Sequence, residues 1–395
     1  MRISPRLGAI APSATMAIDA RQKAMRRDGL PVLSFGAGEP DFPTPSPIAE
    51  AGVTAIHEGH TKYTAVNGIQ ELREAIAGRL RDDLDLHYSP EQIVVTNGAK
   101  EALYNAFQAL LAPGDEVIIP APYWVSYEAQ VLLAGGTPVI VPTAEEDGFK
   151  LRPDQLEDHL TPRTRLLVLN TPCNPTGAVY SAEELRALGA ALHPTDVGVI
   201  SDEIYQRISY NGPSPSFAAA VPDLFDRTIL INGASKAYSM TGWRIGYAAG
   251  PLEVIKAMHK VQSHSTSNAS SISQYAALAA FHGPQDAVDA MAAAFRQRRD
   301  VIVDLLNRIP GIRCALPEGA FYAFPNVQGV LGRTIDGRCI DSSLDLAAML
   351  LESAYIATVP GEAFGAAGYL RLSYACDMAT IREGLARIAT ALAVA

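Results

Sequence analysis

Short apolar runs alternate with segments of helical periodicity over roughly residues 45 to 290. The apolar runs predict seven strands, at Ile93–Thr96, Glu116–Pro120, Pro138–Val141, Leu166–Asn170, Val197–Ser201, Thr228–Asn232 and Arg244–Ala248. Intervening helices are predicted at segments such as Lys100–Leu111, Ala182–Leu192 and Pro251–Gln262. Such alternation predicts an α/β fold with a mainly parallel sheet that is covered on both faces. Ligands of these sheets bind beyond the carboxyl ends of the strands.

The pattern changes after about residue 290. A charged helix, Phe295–Leu306, leads into three short strands and a last helix, predicted at Gly319–Phe324, Ile356–Val359, Leu370–Ser373 and Met378–Leu392. We therefore predict a large domain over residues 45–290 and a smaller α+β domain formed by residues 1–44 and 291–395.

Composition narrows the class of protein. The chain carries 32 Lys+Arg against 42 Asp+Glu, a net charge of −10, which disfavours nucleic acid and anionic membranes as partners. No apolar run approaches the ~18 residues of a membrane helix. The four cysteines are scattered and lack metal-ligand spacing, at Cys173, Cys314, Cys339 and Cys376. We expect reduced thiols, no metal site and a cytoplasmic location.

The segment NGASKAYSMTGWRIGYAAG, residues 232–250, follows a predicted strand and holds the first candidates for chemistry. Lys236 lies among small residues, and partial burial would lower its pKa as an amine nucleophile requires. Arg244, eight positions later, could hold a phosphate with its guanidinium fork. This pair alone is equally compatible with a surface lysine and a structural arginine.

Other polar residues stand at the ends of further strands. Asn174 lies in NTPCNPTG, Asp202 and Tyr205 lie in SDEIY, and Gly98, Ala99 and Lys100 open a helix whose free N–H groups form an anion site. Each has an ordinary structural alternative, as a loop, capping, core or solvated residue. All of them, however, fall at the sheet edge where ligands bind.

Eight ordered motifs together carry a resemblance to a known family: GAGEPDF, HTKYTAVNG, PAPYWVSY, NTPCNPTG, SDEIY, SKAYSMTGWRIGY, GAFY and RLSYA. Along essentially the whole chain, the sequence resembles class I aminotransferases of the pyridoxal-phosphate (PLP) fold type I. It is particularly similar to the bacterial aspartate aminotransferase group, which includes members that accept prephenate. The resemblance implies a mainly parallel seven-stranded sheet in the large domain.

The resemblance assigns catalytic roles around PLP. Lys236 would bind the cofactor covalently and later move a proton at the substrate α-carbon. Asp202 would keep the pyridine nitrogen protonated, and Tyr205 and Asn174 would hydrogen-bond the ring oxygen. The resemblance also implies that Trp124 stacks on the ring. It implies a phosphate site formed by Ser235, Arg244 and the backbone amides of Gly98, Ala99 and Lys100.

It further implies a substrate site and a homodimer. Arg371 would bind the α-carboxylate, assisted by Asn174 and the Gly38 N–H, while Trp124 would also contact the substrate. Tyr63 and Asn268 resemble residues that reach the site from a second subunit, toward cofactor and substrate respectively. Shared active sites in a homodimer follow.

Three positions depart from the family pattern. Gly233 replaces a hydroxyl residue that often helps to bind the phosphate, so Ser235 is the near substitute. Ala11 replaces a lysine common in relatives that take aspartate or prephenate, and Ser263 replaces an arginine of the eukaryotic-type enzymes. Lys100 is therefore the remaining cation for a side-chain carboxylate, unless it is only a helix-start lysine.

These observations predict PLP-dependent transamination, with L-aspartate and 2-oxoglutarate giving oxaloacetate and L-glutamate. The alternative substrates are an aromatic amino acid, alanine, prephenate or an intermediate of a specialised pathway. A lyase or decarboxylase on the same scaffold stays open, although Lys236 and Arg371 favour transamination. A cofactor-sensing domain of a transcription regulator is disfavoured, because no basic recognition helix precedes the sheet.

Overall fold

The computed structural model describes residues 3–4, 7–8, 10, 12, 14–335 and 337–393; Ala11 lies outside them. The strands are β1 (Leu33–Ser34), β2 (Ile93–Asn97), β3 (Glu116–Ala121), β4 (Thr137–Pro142), β5 (Thr164–Asn170), β6 (Gly198–Asp202), β7 (Thr228–Gly233), β8 (Ile245–Ala249), β9 (Tyr322–Ala323), β10 (Thr334–Ile335), β11 (Arg338–Cys339), β12 (Ile356–Ala357), β13 (Val359–Pro360) and β14 (Leu370–Ser373). The α-helices are α1 (Ala14–Arg27), α2 (Ser46–His57), α3 (Gln70–Leu84), α4 (Ala99–Leu110), α5 (Ser126–Leu133), α6 (Pro153–His159), α7 (Ala182–Leu192), α8 (Phe217–Ala220), α9 (Leu252–Ser263), α10 (Ser271–His282), α11 (Asp286–Asn307), α12 (Ser343–Ser353) and α13 (Met378–Ala393).

In the described part of the chain, the main sheet has seven strands in the order β2-β8-β7-β6-β5-β3-β4. Strand β8 runs antiparallel to both of its neighbours, and the other pairs are parallel. The predicted α/β fold and mainly parallel sheet are thus confirmed. The observed strands differ from the predicted ones by one or two residues at their ends. Strand β8 begins at Ile245 rather than Arg244, because Arg244 has a φ of 59°, in the left-handed region that strands do not use.

Helices cover both faces of this sheet because alternate residues of each strand point to opposite sides. Along β2, Ile93 and Val95 join a core with helices α3 and α10, whereas Val94 joins a second core with α4 and α9. The strand is buried on both faces, so it is continuously apolar.

A separate three-stranded sheet, in the order β13-β14-β9, packs with α11 and α13 in the second half of the chain. Strand β1 pairs in parallel with β12, which joins the first forty residues to this region. Helix α11 begins at Asp286, nine positions before the predicted start, and its acidic first turn suits a helix N-terminus. The predicted domain bounds at residues 44 and 290 stay a prediction.

Two of the predicted strands beyond residue 290 differ from expectation. The segment predicted as Gly319–Phe324 forms only the two-residue β9, since Ala320 has a φ of 55°. The segment predicted as Ile356–Val359 divides into β12 and β13, which pair with different strands. Among the residues described, every helix is too short or too polar to cross a membrane.

Candidate active site

Four strand ends bring the predicted residues to one edge of the main sheet. Gly98 follows β2, Asn174 follows β5, Asp202 ends β6 and Lys236 follows β7. These strands are parallel neighbours, apart from the intervening β8, so their carboxyl ends meet at the same edge. The connections after the strands form the walls of the site.

Asp202 is a buried carboxylate at the floor of this site. Its Oδ2 accepts a hydrogen bond from the Tyr127 hydroxyl at 2.6 Å, and its Oδ1 accepts one from the Ile204 N–H at 3.3 Å. Burial raises the pKa of Asp202 to about 6, although both hydrogen bonds and the charge of Lys236 oppose this change. A cationic group that binds here would restore a low pKa and hold the carboxylate charged.

Lys236 points its amine into the same site. Nζ donates a hydrogen bond to the Gly38 carbonyl and lies 5.9 Å from the ring centroids of both Tyr205 and Phe321. Burial lowers the pKa of Lys236 to about 8, whereas the nearby Glu39 carboxylate acts in the opposite direction. With this pKa about a tenth of the amine is neutral at pH 7, far more than for an ordinary lysine, and nucleophilic and base chemistry require the neutral form.

The segment of residues 38–44 is hydrogen-bonded to the loop that carries Lys236. Thr241 donates to Glu39 Oε2 at 2.9 Å, and Thr44 donates to the Ser239 carbonyl at 2.7 Å. The Trp243 indole N–H donates to the Thr44 hydroxyl at 3.0 Å. These bonds hold the Gly38 backbone over the lysine.

Arg371, on β14, faces the site from the second sheet. Its Nη1 donates to Asn174 Oδ1 at 3.0 Å and its Nη2 donates to the Gly36 carbonyl at 2.8 Å. Its Nε is buried without a hydrogen-bond partner, and among the described residues no carboxylate pairs with the guanidinium. Because a buried unpaired charge is costly, this arrangement fits an anionic ligand.

Tyr205 and Tyr322 form a buried pair between Asp202 and Arg371. Their hydroxyl oxygens are 2.8 Å apart, and the Arg371 guanidinium carbon lies 4.6 Å from the centroid of the Tyr322 ring. Burial raises the pKa of Tyr205 well above its ordinary value, so the phenol keeps its proton at neutral pH.

A glycine-lined cradle lies at the start of α4. A Cβ on Gly246 would lie 2.1 Å from the Ala99 nitrogen, and a Cβ on Gly98 would lie 2.5 Å from Arg244 Nη2. Arg244 is exposed and donates from Nη1 to the Thr241 carbonyl at 2.8 Å. Backbone N–H groups at a helix N-terminus beside a guanidinium form a site for phosphate.

The departure from the family pattern at Gly233, near the phosphate position, has a structural explanation. A side chain at Gly233 would place its Cβ 2.8 Å from the Gly246 Cα, so the β7–β8 pairing leaves no room for one. Ser235 is buried next to Lys236, and its carbonyl accepts from the Met240 N–H at 3.1 Å.

Lys100 and Trp124 lie together at the rim. Lys100 Nζ is 4.8 Å from the Trp124 ring centroid, and no carboxylate pairs with this ammonium among the described residues. Partial burial, and then the charge of Arg244, lower the pKa of Lys100. Trp124 is half-buried and packs edge-on against Tyr127, at 5.5 Å between ring centroids.

Two predicted residues are not brought into this cluster. Tyr63 is 91% exposed, and within the described residues it makes no ring contact or hydrogen bond with the site. The Asn268 side chain is half-buried and donates to the Ala269 carbonyl at 2.8 Å. Both residues were expected to act from a second subunit, so their role stays a prediction.

Sequence reasoning did not single out three residues that the structure places in the site. Tyr127 bonds Asp202, Asn170 Nδ2 donates to the Asp202 carbonyl at 2.9 Å, and Tyr322 bonds Tyr205. All three residues lie in motifs that were already noted, Tyr127 in PAPYWVSY, Asn170 in NTPCNPTG and Tyr322 in GAFY. Only the side-chain directions, which depend on packing, distinguish these residues from core tyrosines and a loop asparagine.

Glu203, next to Asp202 in sequence, gives a testable pH dependence of stability. It is fully buried, and its Oε1 accepts from Ser201, Ser216 and the Phe217 N–H, while its Oε2 has no partner among the residues that the structure describes. Burial raises the pKa of Glu203 from 4.5 to about 7. The folded state therefore binds more protons than the unfolded state between these values, and the free energy of unfolding falls as pH rises through this range.

Glu203 should contribute about 3 kcal/mol to the fall in the free energy of unfolding between pH 4.5 and pH 7, and we expect Glu203→Gln to remove this contribution. Unfolding by urea without ligand, measured from pH 4.5 to pH 7, should show a smaller loss of stability in this variant than in the wild type. Glu183→Gln, on an exposed position of α7, is the control and should keep the wild-type slope. An unchanged slope in Glu203→Gln would show that Glu203 does not titrate in this range.

Comparison with known proteins agrees with this fold and site. The family model described as aminotransferase class I and II matches residues 31–388. The chain therefore belongs to the class I and II aminotransferase family and is an enzyme that transfers amino groups. The predicted fold type I class and aminotransferase activity are confirmed.

Individual relatives cover at least 98% of the chain. An aspartate aminotransferase of Geobacillus stearothermophilus is 48% identical over 98% of each chain. An aspartate/prephenate aminotransferase of Nitrosomonas europaea is 47% identical over 99% of this chain and 100% of its own. The crystal structure of the Rhizobium meliloti aspartate aminotransferase matches with a TM-score of 0.96 at 47% identity, covering 100% of this chain and 99% of its own.

Proposed function

We propose that this aminotransferase uses PLP to transfer the amino group of L-aspartate to 2-oxoglutarate. The observation that carries the proposal is a pair of cations that have no carboxylate partner in the described part of the chain, Arg371 in the interior and Lys100 at the rim. Aspartate, glutamate and their 2-oxo acids each carry two carboxylates, so each such substrate satisfies both cations. The relatives named aspartate aminotransferase support the same substrate.

The residues present fit PLP as the cofactor. The Lys236 amine fits the aldehyde, the Asp202 carboxylate fits a protonated pyridine nitrogen, and the Gly98–Lys100 amides with Ser235 and Arg244 fit the phosphate. The close approach of Gly246 to the Ala99 nitrogen keeps this cradle free of side-chain atoms. Tyr205 and Asn174 would hydrogen-bond the ring oxygen, and Trp124 would cover one face of the ring.

When bound, PLP supplies an electron sink that stabilises negative charge on the substrate α-carbon. The side chains of the protein transfer the proton at the α-carbon and orient the substrate. Lys236 Nζ would take the proton from the α-carbon and return it, as its lowered pKa permits. Arg371 would hold the α-carboxylate with Asn174 and the Gly38 N–H, which directs the α-C–H bond toward Lys236. Asp202 would keep its partner nitrogen protonated.

We also propose a homodimer with shared active sites, in the cytoplasm. The high exposure of Tyr63 supports a role for this side chain toward a partner's cofactor, with Asn268 toward its substrate. The division into a large domain at residues 45–290 and a small domain at residues 1–44 and 291–395 belongs to the same proposal.

A half-reaction scan tests the donor. The purified protein with bound PLP is mixed with single amino donors, without a 2-oxo acid, while the absorbance of the bound cofactor is followed. Aspartate and glutamate should change this absorbance fastest. Alanine and phenylalanine are tested in the same way. Prephenate is a 2-oxo acid and is tested separately as an acceptor, on protein first treated with aspartate, because one relative is named an aspartate/prephenate aminotransferase. Preference for a neutral donor would reject aspartate, and no change with any donor would reject transamination of these amino acids.

Removing the rim cation should affect only acidic substrates. We expect Lys100→Ala to lower kcat/KM for aspartate by about tenfold to a hundredfold, because a charged hydrogen bond is worth roughly 1.5–3 kcal/mol. The value for alanine should change little. Lys256→Ala, which removes an exposed lysine of α9 paired with Glu253, is the matched control. Equal losses for aspartate and alanine would contradict the role of Lys100.

A further inference from the structure

Tyr322 lies where three elements of the site meet. It is fully buried on β9, opposite Ser373 of the strand that carries Arg371. Its hydroxyl oxygen is 2.8 Å from the Tyr205 hydroxyl, and a Cβ on Gly38 would lie 3.1 Å from it. Its ring faces the Arg371 guanidinium at 4.6 Å. The hydroxyl is therefore held on Tyr205 by packing from three sides.

The Tyr205 and Tyr322 hydroxyls each carry one proton, so each can donate only one hydrogen bond. Burial raises the pKa of both phenols, so each hydroxyl keeps its single proton at neutral pH. One hydroxyl of the pair must donate to the other, and the structure permits either direction. A ligand that takes the proton of Tyr205 fixes the direction, because Tyr205 must then accept from Tyr322.

We propose that Tyr322 is a positioning residue that donates to Tyr205 and thereby directs the Tyr205 proton toward the ring oxygen of the cofactor. The inference rests on the proposed function, in which Tyr205 donates to that oxygen. Hydrogen bonds in a chain polarise one another, so the donation from Tyr322 strengthens the donation from Tyr205. A stronger donor favours the negatively charged form of the ring oxygen.

The Tyr322→Phe variant tests this role because it removes the hydroxyl and keeps the ring beneath Arg371. The measurement is the absorbance of the lysine-bound cofactor as a function of pH. We expect its apparent pKa to rise by about half a pH unit to one pH unit, a threefold to tenfold change in proton affinity. The rise follows because the deprotonated cofactor, with its anionic oxygen, loses part of its stabilisation.

Two further variants separate this role from general damage. Tyr374→Phe removes another buried hydroxyl, which contacts the Tyr210 hydroxyl and the Ala320 carbonyl at 3.2 Å each, and it should leave the apparent pKa unchanged. In a Tyr205→Phe background, Tyr322→Phe should not change the apparent pKa further, because residue 205 then has no hydroxyl to connect Tyr322 with the cofactor.

The outcomes are distinct. A rise in Tyr322→Phe alone, absent in the control and lost in the double variant, supports the proposal. An unchanged apparent pKa in Tyr322→Phe overturns it, as does an equal rise in the Tyr205→Phe background. A wild-type protein that binds no PLP at a lysine would instead reject the proposed function itself, before Tyr322 is tested.

Discussion

Lys236→Ala should abolish turnover and covalent attachment of PLP together. Lys236 supplies the only amine that the structure points at Gly38 and Tyr205, among the residues described. The variant therefore loses both the nucleophile and the base, and we expect kcat to fall by about 10⁴-fold or more. Absorbance spectra and borohydride reduction, followed by peptide mapping, would measure attachment, and the half-reaction with aspartate would measure turnover.

Two controls make this result specific. Lys236→Arg keeps a positive charge but not a reactive amine, so it should be as inactive as the alanine variant. Lys150→Ala removes a lysine that pairs with Glu184 outside the site, and it should remain active. Small primary amines added to Lys236→Ala should restore part of the proton transfer. Reduction that fixes PLP to another lysine in an active variant would reject the assignment.

Arg371→Ala should be the second most damaging change. The guanidinium already bonds Asn174 and Gly36, and among the residues described its Nε has no hydrogen-bond partner. A substrate carboxylate left in this buried site without its cation costs about 3–5 kcal/mol, so kcat/KM should fall by a factor of about 10² to 10⁴ for every amino donor. Steady-state kinetics with aspartate and alanine would measure both losses.

Conservative changes separate charge from geometry at this position. Arg371→Lys keeps the charge but not the planar fork, so its loss should lie between those of the wild type and Arg371→Ala. Arg299→Lys is the matched control, since Arg299 is also buried but bonds the Pro317 carbonyl and faces the Tyr210 ring. If both lysine variants lost activity equally, the effect at Arg371 would reflect damage to packing rather than substrate binding.

Much of the fold was predictable because its strongest signals are local. Strands such as Leu166–Asn170 are buried on both faces, so they are continuous apolar runs that the sequence displays directly. The antiparallel direction of β8 and the left-handed conformation of Arg244 were not predictable from such runs. Both depend on how the tight connection after Lys236 returns the chain to the sheet.

Sequence periodicity also failed to predict the bounds of elements in the last third of the chain. Strand β9 has two residues because its length is set by pairing with β14, which lies almost fifty positions later. Periodicity carries no information on such a partner. The start of α11 at Asp286 was also missed, although its acidic first turn is a local signal.

By itself, the sequence determined which chemical groups stand at the strand ends: the amine of Lys236, the carboxylate of Asp202 and the hydroxyl of Tyr205. It did so because strands, turns and helix starts are encoded within a few neighbouring residues. Only the tertiary structure decided that Arg371 bonds the Gly36 carbonyl and that Tyr322 bonds Tyr205. Those partners are 335 and 117 positions apart, so their distance is set by the packing of whole layers and not by local pattern.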